Sequence, residues 1–234
     1  VLVSEDARHV DPDGESPWAM QLIAWMPRNS DTPSRAAVCS AAATAVVHVL
    51  TDPRSQPGGE WHDAIVRWTA GRIRKHARRA RTATDFEKVD AAPGLIATVS
   101  AHGGATVRAL VPTAVNEIPS SIRRLQLTGS EPVVLGPEIM APIASGPLVV
   151  SISTDPHLSL GKAAAAAGHA AQIALAAMPA RRRDRWAADG YPVAVEHPEP
   201  WRWRTLVDLA PVRVEDAGFT EIAPGTVTAI ARWS

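Results

Sequence analysis

The chain has 234 residues, 46% of them hydrophobic, and its 24 lysines and arginines balance 24 aspartates and glutamates. That apolar content supplies a core for one large domain or two small ones, while the charge balance excludes an overall positive field and confines any nucleic-acid contact to a local patch. The lone Cys39 excludes an internal disulfide and a multi-cysteine metal site, as suits a reducing cytosol, and no apolar run reaches the roughly 20 residues of a membrane helix.

Ser4 to Glu15 is polar and reads as a loose leader. A strand follows over Met20 to Met26, then a helix of small residues over Ser34 to Val49 and an amphipathic helix around Trp61 to Thr69. The segment GRIRKHARRAR gathers Arg72, Arg74, Lys75, Arg78, Arg79 and Arg81. By charge alone it can bind phosphates, although charge runs are usually solvated faces. Apolar strands are expected over Leu95 to Val99 and Ala105 to Val111. Glu131 to Gly146 holds three prolines and little periodicity, and reads as a connection.

Beyond it the same order of elements returns. A strand from Leu148 leads through a polar turn into the alanine-rich helix Lys162 to Ala177, and a basic helix, Ala180 to Ala188, stops near Gly190. Strands follow over Tyr191 to Val195, Val212 to Glu215 and Thr226 to Trp233. Laying Val107 to Ile122 against Val212 to Val227 matches a Val-Arg start and a later Glu-Ile near a proline. The simplest account is a duplicated α/β unit: two tandem small mixed sheets flanked by helices.

Lys162 and His169 stand on the alanine-rich helix, which needs neither of them to fold. A spacing of seven is close to two helical turns, so both emerge on one face, where a cation and an imidazole can meet a ligand. Taken alone, the histidine is more often a core or surface residue than a catalyst; the alanine run would then be a helix packed tightly on a sheet, with Gly168 marking close backbone contact. Asp216-Ala217-Gly218 and Pro224-Gly225 equally read as ordinary turns. Arg181, Arg182, Arg183 and Arg185 form a second basic cluster, with Trp186, Trp201 and Trp203 near enough in sequence to stack on bases. The histidines are scattered and show no HExxH or Cys/His spacing, so neither a metal nor a cofactor is expected.

TDPHLSLGKAAAAAGHAA and VEDAGFTEIAPGTVTAIA, in this order, resemble the type II (archaeal and eukaryotic type) peptidyl-tRNA hydrolases. The resemblance runs over about Pro147 to Ser234. It implies a catalytic surface of Lys162, His169 and Asp216; beside it Thr220 and Thr226 offer hydroxyls, Gly218, Glu221 and Gly225 are expected to meet the substrate, and Arg181, Arg182 and Arg183 could bind tRNA phosphates by charge alone. The implied roles are His169 as general base, Asp216 orienting the imidazole or water, and Lys162 binding a phosphate or the oxyanion. Leu160, Ala166 and Glu221 depart from the family's lysine and two glutamines.

In the first half the same alignment sets Arg35 against Lys162, Ala42 against His169 and Val111 against Asp216, a degenerate copy. Since the family works as homodimers, residues 17–130 and 147–234, joined by 131–146, are expected to pack as an intramolecular pseudo-dimer and to need no second chain. The implied function is cytoplasmic hydrolysis of the ester of peptidyl-tRNA or a related acylated tRNA, with tRNA as partner and no membrane. The alternative is a weak or inactive tRNA- or protein-binding module that keeps the fold.

Overall fold

The computed structural model describes residues 16–27, 33–100, 103–125, 148–216 and 222–233. The first unit runs β1 (Trp18–Trp25), α1 (Arg35–Thr51), a 3-10 turn (Pro53–Ser55), α2 (His62–Thr69), β2 (Arg74–Ala80), α3 (Ala83–Asp90), β3 (Gly94–Val99) and β4 (Ala105–Leu110). It ends with the short β5 (Thr113–Ala114), a second 3-10 turn and α4 (Ser120–Arg123). The second unit runs β6 (Leu148–Ile152), α5 (Leu160–Ala177), α6 (Ala180–Ala188), β7 (Val193–Glu196), α7 (Pro200–Leu209), β8 (Val212–Glu215) and β9 (Val227–Arg232). The mixed α/β architecture of two small sheets flanked by helices is therefore present. The leader and the 131–146 connection lie outside the described residues.

One topology occurs twice. The first sheet has the order β2-β1-β4-β3, with β5 also pairing β1, and the second has the order β7-β6-β9-β8. In each, the first strand pairs parallel with the strand after the helices and antiparallel with the last long strand. The closing pair, β3 with β4 and β8 with β9, is an antiparallel hairpin.

This topology corrects the expected internal alignment. Val212 to Glu215 is β8, whose counterpart is β3, whereas Val107 lies in β4, the counterpart of β9. The position just past β8, where Asp216 stands, thus corresponds to the end of β3 near Val99 and Ser100, not to Val111. The long helices align by their caps: Ser34 accepts from the Ala37 amide in α1, and Ser159 accepts from the Lys162 amide in α5. Counting from the caps sets Ala37 against Lys162 and Thr44 against His169, in place of Arg35 and Ala42. The conclusion that this half lacks the lysine and histidine is unchanged.

Small residues make α1 and α5 what they are. In α1 every residue from Arg35 to Val47 is buried, so it has no solvent stripe, and it lies between its own sheet and α5. The buried side of α5 is Leu160, Ala163, Ala164, Ala166, Ala167, Gly168, Ala170, Ala171 and Ala174. Side chains this small permit axes near the lower end of the usual spacing, about 8 Å. A Cβ on Gly168 would stand 3.0 Å from Val46 Cγ2 and 3.1 Å from Lys75 Cδ, so the approach at that glycine is close, but it is made by side chains and not by the backbone expected.

The packing is reciprocal: α5 also lies on β2 of the first unit, and α1 lies on β7 of the second. Ser40 on α1 donates to the Val193 carbonyl on β7, and Arg35 donates to His197 Nε2 at 3.0 Å and to the Leu158 carbonyl. One hydrophobic core runs through both units, from Met20, Leu22 and Val46 to Val150, Ile152 and Trp186. A smaller core of Ile23, Ala80, Val89, Leu110, Ile118, Ile122 and Leu125 covers the outer face of the first sheet.

Candidate functional site

The site begins at the first turn of α5. Lys162 emerges there, beside helix amides that already carry partial positive charge, so the position disfavours a bare cation. The Asp216 carboxylate offsets both charges: its Oδ2 lies 2.9 Å from Lys162 Nζ, with the two side chains 11% and 15% exposed. Asp216 stands one residue past β8, and its main chain is pinned to the start of β9. Its amide donates to the Thr226 carbonyl at 2.8 Å, and its carbonyl accepts from the Gly225 amide at 2.9 Å. Gly225 has φ of 79°, the left-handed turn that its lack of a Cβ makes accessible. Lys162, Asp216, Gly225 and Thr226 are thus brought together. Gly218, Thr220 and Glu221 lie outside the described residues.

His169, two turns along α5, has a different partner. Its Nδ1 lies 3.1 Å from Nζ of Lys75, which comes from β2 of the first unit. Lys75 is 7% exposed; its amine also donates to Gln172 Oε1 and stands 4.7 Å from the centre of the Trp68 ring. Burial drives the Lys75 amine well below the usual lysine range. Burial, with the nearby Lys75 charge second, pushes the His169 imidazole well below its ordinary value. Lys162 therefore takes the Asp216 carboxylate while Lys75 takes Nδ1 of the ring. The described contacts of the Asp216 carboxylate are with Lys162, and the ring's partner is a residue from the basic run of the first unit.

Most of that basic run is strand β2, and two of its charges, Lys75 and Arg78, face protein. Arg78 donates to Gln21 Oε1 and to the carbonyls of Arg123 and Leu125. Gln21 in turn meets His76 Nδ1 at 3.3 Å. Lys75 and Arg78 of this run are thus engaged by protein groups.

The second cluster is different. Arg181, Arg182 and Arg185 on α6 are exposed, while Arg183 reaches back to the Leu175 carbonyl at 3.4 Å and satisfies the end of α5. These arginines follow the C-terminus of α5, some 15 residues from Lys162, which at about 1.5 Å per residue is roughly 22 Å along the axis. They belong to a separate surface. Of the tryptophans expected to stack on bases, Trp186 is fully buried and donates to the Pro192 carbonyl, and Trp203 is buried. Trp201 is 67% exposed.

In the first unit the corresponding end of the sheet carries an open cleft of about 430 Å³ lined by Trp25, Pro33, Val99, Ser100, Gly104 and others. It lies at the end of β3, where Asp216 stands in the second unit, and every described residue lining it is uncharged. Among the described residues no group of histidine, cysteine and carboxylate side chains could hold a metal. No helix among them is long and apolar enough to cross a membrane.

Family models give no match to this chain, and comparisons with curated proteins and with solved structures give none either.

Proposed function

We propose that the chain is a carboxylic ester hydrolase of the type II peptidyl-tRNA hydrolase kind, cleaving the ester of peptidyl-tRNA or a related acylated tRNA, with its site in the second unit. The observation that carries this reading is the convergence of Lys162 and Asp216, from opposite ends of that unit, beside the helix face that bears His169. Those are the residues that the family resemblance singles out.

Ester hydrolysis needs a water relieved of a proton and a developing oxyanion held by positive charge. An imidazole kept neutral by burial is ready to accept a proton at neutral pH. A lysine at a helix N-terminus adds its charge to that of the helix amides, and Asp216 restrains it until an anion arrives. The exposed arginines of α6 suit a phosphate contact away from the ester, along an extended RNA. In this reading the first unit takes the place of the family's second subunit, so the chain works as a cytoplasmic pseudo-dimer.

A tRNA-binding module without turnover is the second reading, favoured by the loss of the family's second lysine at Leu160 and its helix glutamine at Ala166. Release of peptide from peptidyl-tRNA distinguishes the two. Turnover that falls by about 10²-fold or more in His169→Ala and Asp216→Ala supports the hydrolase. Salt-sensitive tRNA binding without release supports the module.

A further inference from the structure

We infer that Lys75, contributed by the first unit, is the positioning residue for His169, fixing the ring through Nδ1 and with it the tautomer that the imidazole presents at Nε2. The inference rests on the reading of His169 as the general base, but its central measurement does not depend on turnover.

The geometry is unusual for a lysine. Its amine is enclosed by His169 Nδ1 at 3.1 Å, Gln172 Oε1 and the Trp68 ring, and Gly168 leaves just the space that the lysine stem fills. The groups facing this pair can be named element by element. From α5 come His169, Gln172 and, two turns away, Lys162, whose charge is paired with Asp216. α1 supplies the apolar Val46 and α2 the Trp68 ring. On β2 itself the neighbouring His76 points to the other face, toward Gln21. Among the described residues no carboxylate contacts the Lys75 amine, so nothing there balances a positive charge.

A histidine with Nδ1 engaged offers Nε2 to a ligand, and the partner's proton count decides what Nε2 is. An uncharged Lys75 accepts a hydrogen bond from Nδ1–H while donating one to Gln172 Oε1, which leaves Nε2 with a lone pair, a base. A charged Lys75 donates to Nδ1, which places the ring proton on Nε2, a hydrogen-bond donor. Burial without a counter-charge favours the uncharged amine and hence the base. The first unit, although stripped of its own lysine and histidine at the site positions, thereby completes the site of the second.

The test is nitrogen and proton NMR of ring-labelled histidine in the full chain, assigned with His169→Gln and compared with Lys75→Met and Lys75→Arg. Methionine is close to lysine in volume and suits the buried position. Arginine cannot give up its proton. In the parent, His169 is expected to carry its proton on Nδ1 at neutral pH. Lys75→Met should lose that preference, and Lys75→Arg should move the proton to Nε2. If the parent hydrolyses peptidyl-tRNA, kcat should fall about tenfold or more in both variants with KM little changed. An unchanged tautomer in Lys75→Met overturns the inference, as does a parent ring protonated on Nε2. A parent with the expected tautomer and no turnover leaves the inference standing and removes the hydrolase reading.

Discussion

The Asp216 carboxylate and the Lys162 ammonium, 2.9 Å apart, tie the end of β8 to the first turn of α5. Both side chains are largely withdrawn from water, so the pair sits between an exposed ion pair of little value and a buried one whose breakage is costly. Asp216→Asn and Lys162→Met are each expected to destabilise the fold by about 1 kcal/mol, with a coupling of at least about 0.5 kcal/mol in a double-mutant cycle read by urea unfolding. Strictly additive effects would show that the pair contributes nothing to stability.

A histidine kept neutral by burial makes stability depend on pH in a definite sense. The unfolded chain protonates this residue near pH 6.5, and the folded chain does so only at lower pH. Between those values the unfolded state binds more protons, so stability falls as pH drops below about 6.5 and levels off below the folded-state value. Lys75 acts in the same sense on the alkaline side: its folded pKa is depressed, so stability rises with pH up to about 10.4. Urea unfolding between about pH 5.5 and 7.5 should show a slope in the parent that is reduced in His169→Asn. Equal slopes would contradict the burial of this ring.

Much of this architecture is legible in the sequence, because β8 alternates, α5 is a run of small residues, α6 a basic helix, and the serine caps mark where α1 and α5 begin. Strand β2 is not legible. Its charges hide an extended segment in which Lys75 is buried by the other unit and Arg78 by Gln21 and the α4 end. Helix α7 is equally hidden, since Trp201 and Trp203 read as a binding pair although one faces solvent and the other the core. At the candidate site, Lys162 and His169 announce themselves by spacing, whereas Asp216 is singled out only by the family resemblance, its own loop reading as an ordinary turn. No spacing links Lys75 to His169, because their contact exists only once the two units have packed. The one available signal is Gly168, whose missing Cβ makes room for a long side chain from elsewhere.

Gly168→Ala tests that room. Alanine improves helix propensity by about 1 kcal/mol, but its methyl meets Val46 Cγ2 at 3.0 Å and the Lys75 stem at 3.1 Å. Val46 is β-branched and fully buried, so it yields little, and overpacking of this kind typically costs 1–3 kcal/mol. A net loss of about 1 kcal/mol is expected in thermal or urea unfolding, accompanied by a shift of the His169 ring resonances as Lys75 is displaced. A stabilised variant would show the two helices to be looser than described.

Glu196 on β7 is held on the outer face of the second sheet by Arg232 at 2.7 Å and by the Ser151 hydroxyl, with Arg202 at 3.8 Å. Burial raises its carboxyl, but the hydrogen bonds from Arg232 and Ser151 and the nearby positive charges outweigh it and hold the group below its ordinary value. The stability it lends is complete above the unfolded pKa, near 4.3, and is lost as pH falls through the lower folded value. Glu196→Ala leaves Arg232 without its counter-charge and is expected to cost roughly 3 kcal/mol, measured by urea unfolding at neutral pH. A loss below about 0.5 kcal/mol would mean that water, not Glu196, satisfies the arginine.

The all-round burial of α1 has a consequence for how this chain can change over generations. A helix with protein on every side offers no position where a larger residue is absorbed by solvent, so growth at any alanine of α1 must be answered by shrinkage on α5, β4 or β7. Where the answering residue lies on α5 or β7, substitutions are therefore expected to be accepted in pairs that straddle the connection. Two units bound in this way no longer drift independently.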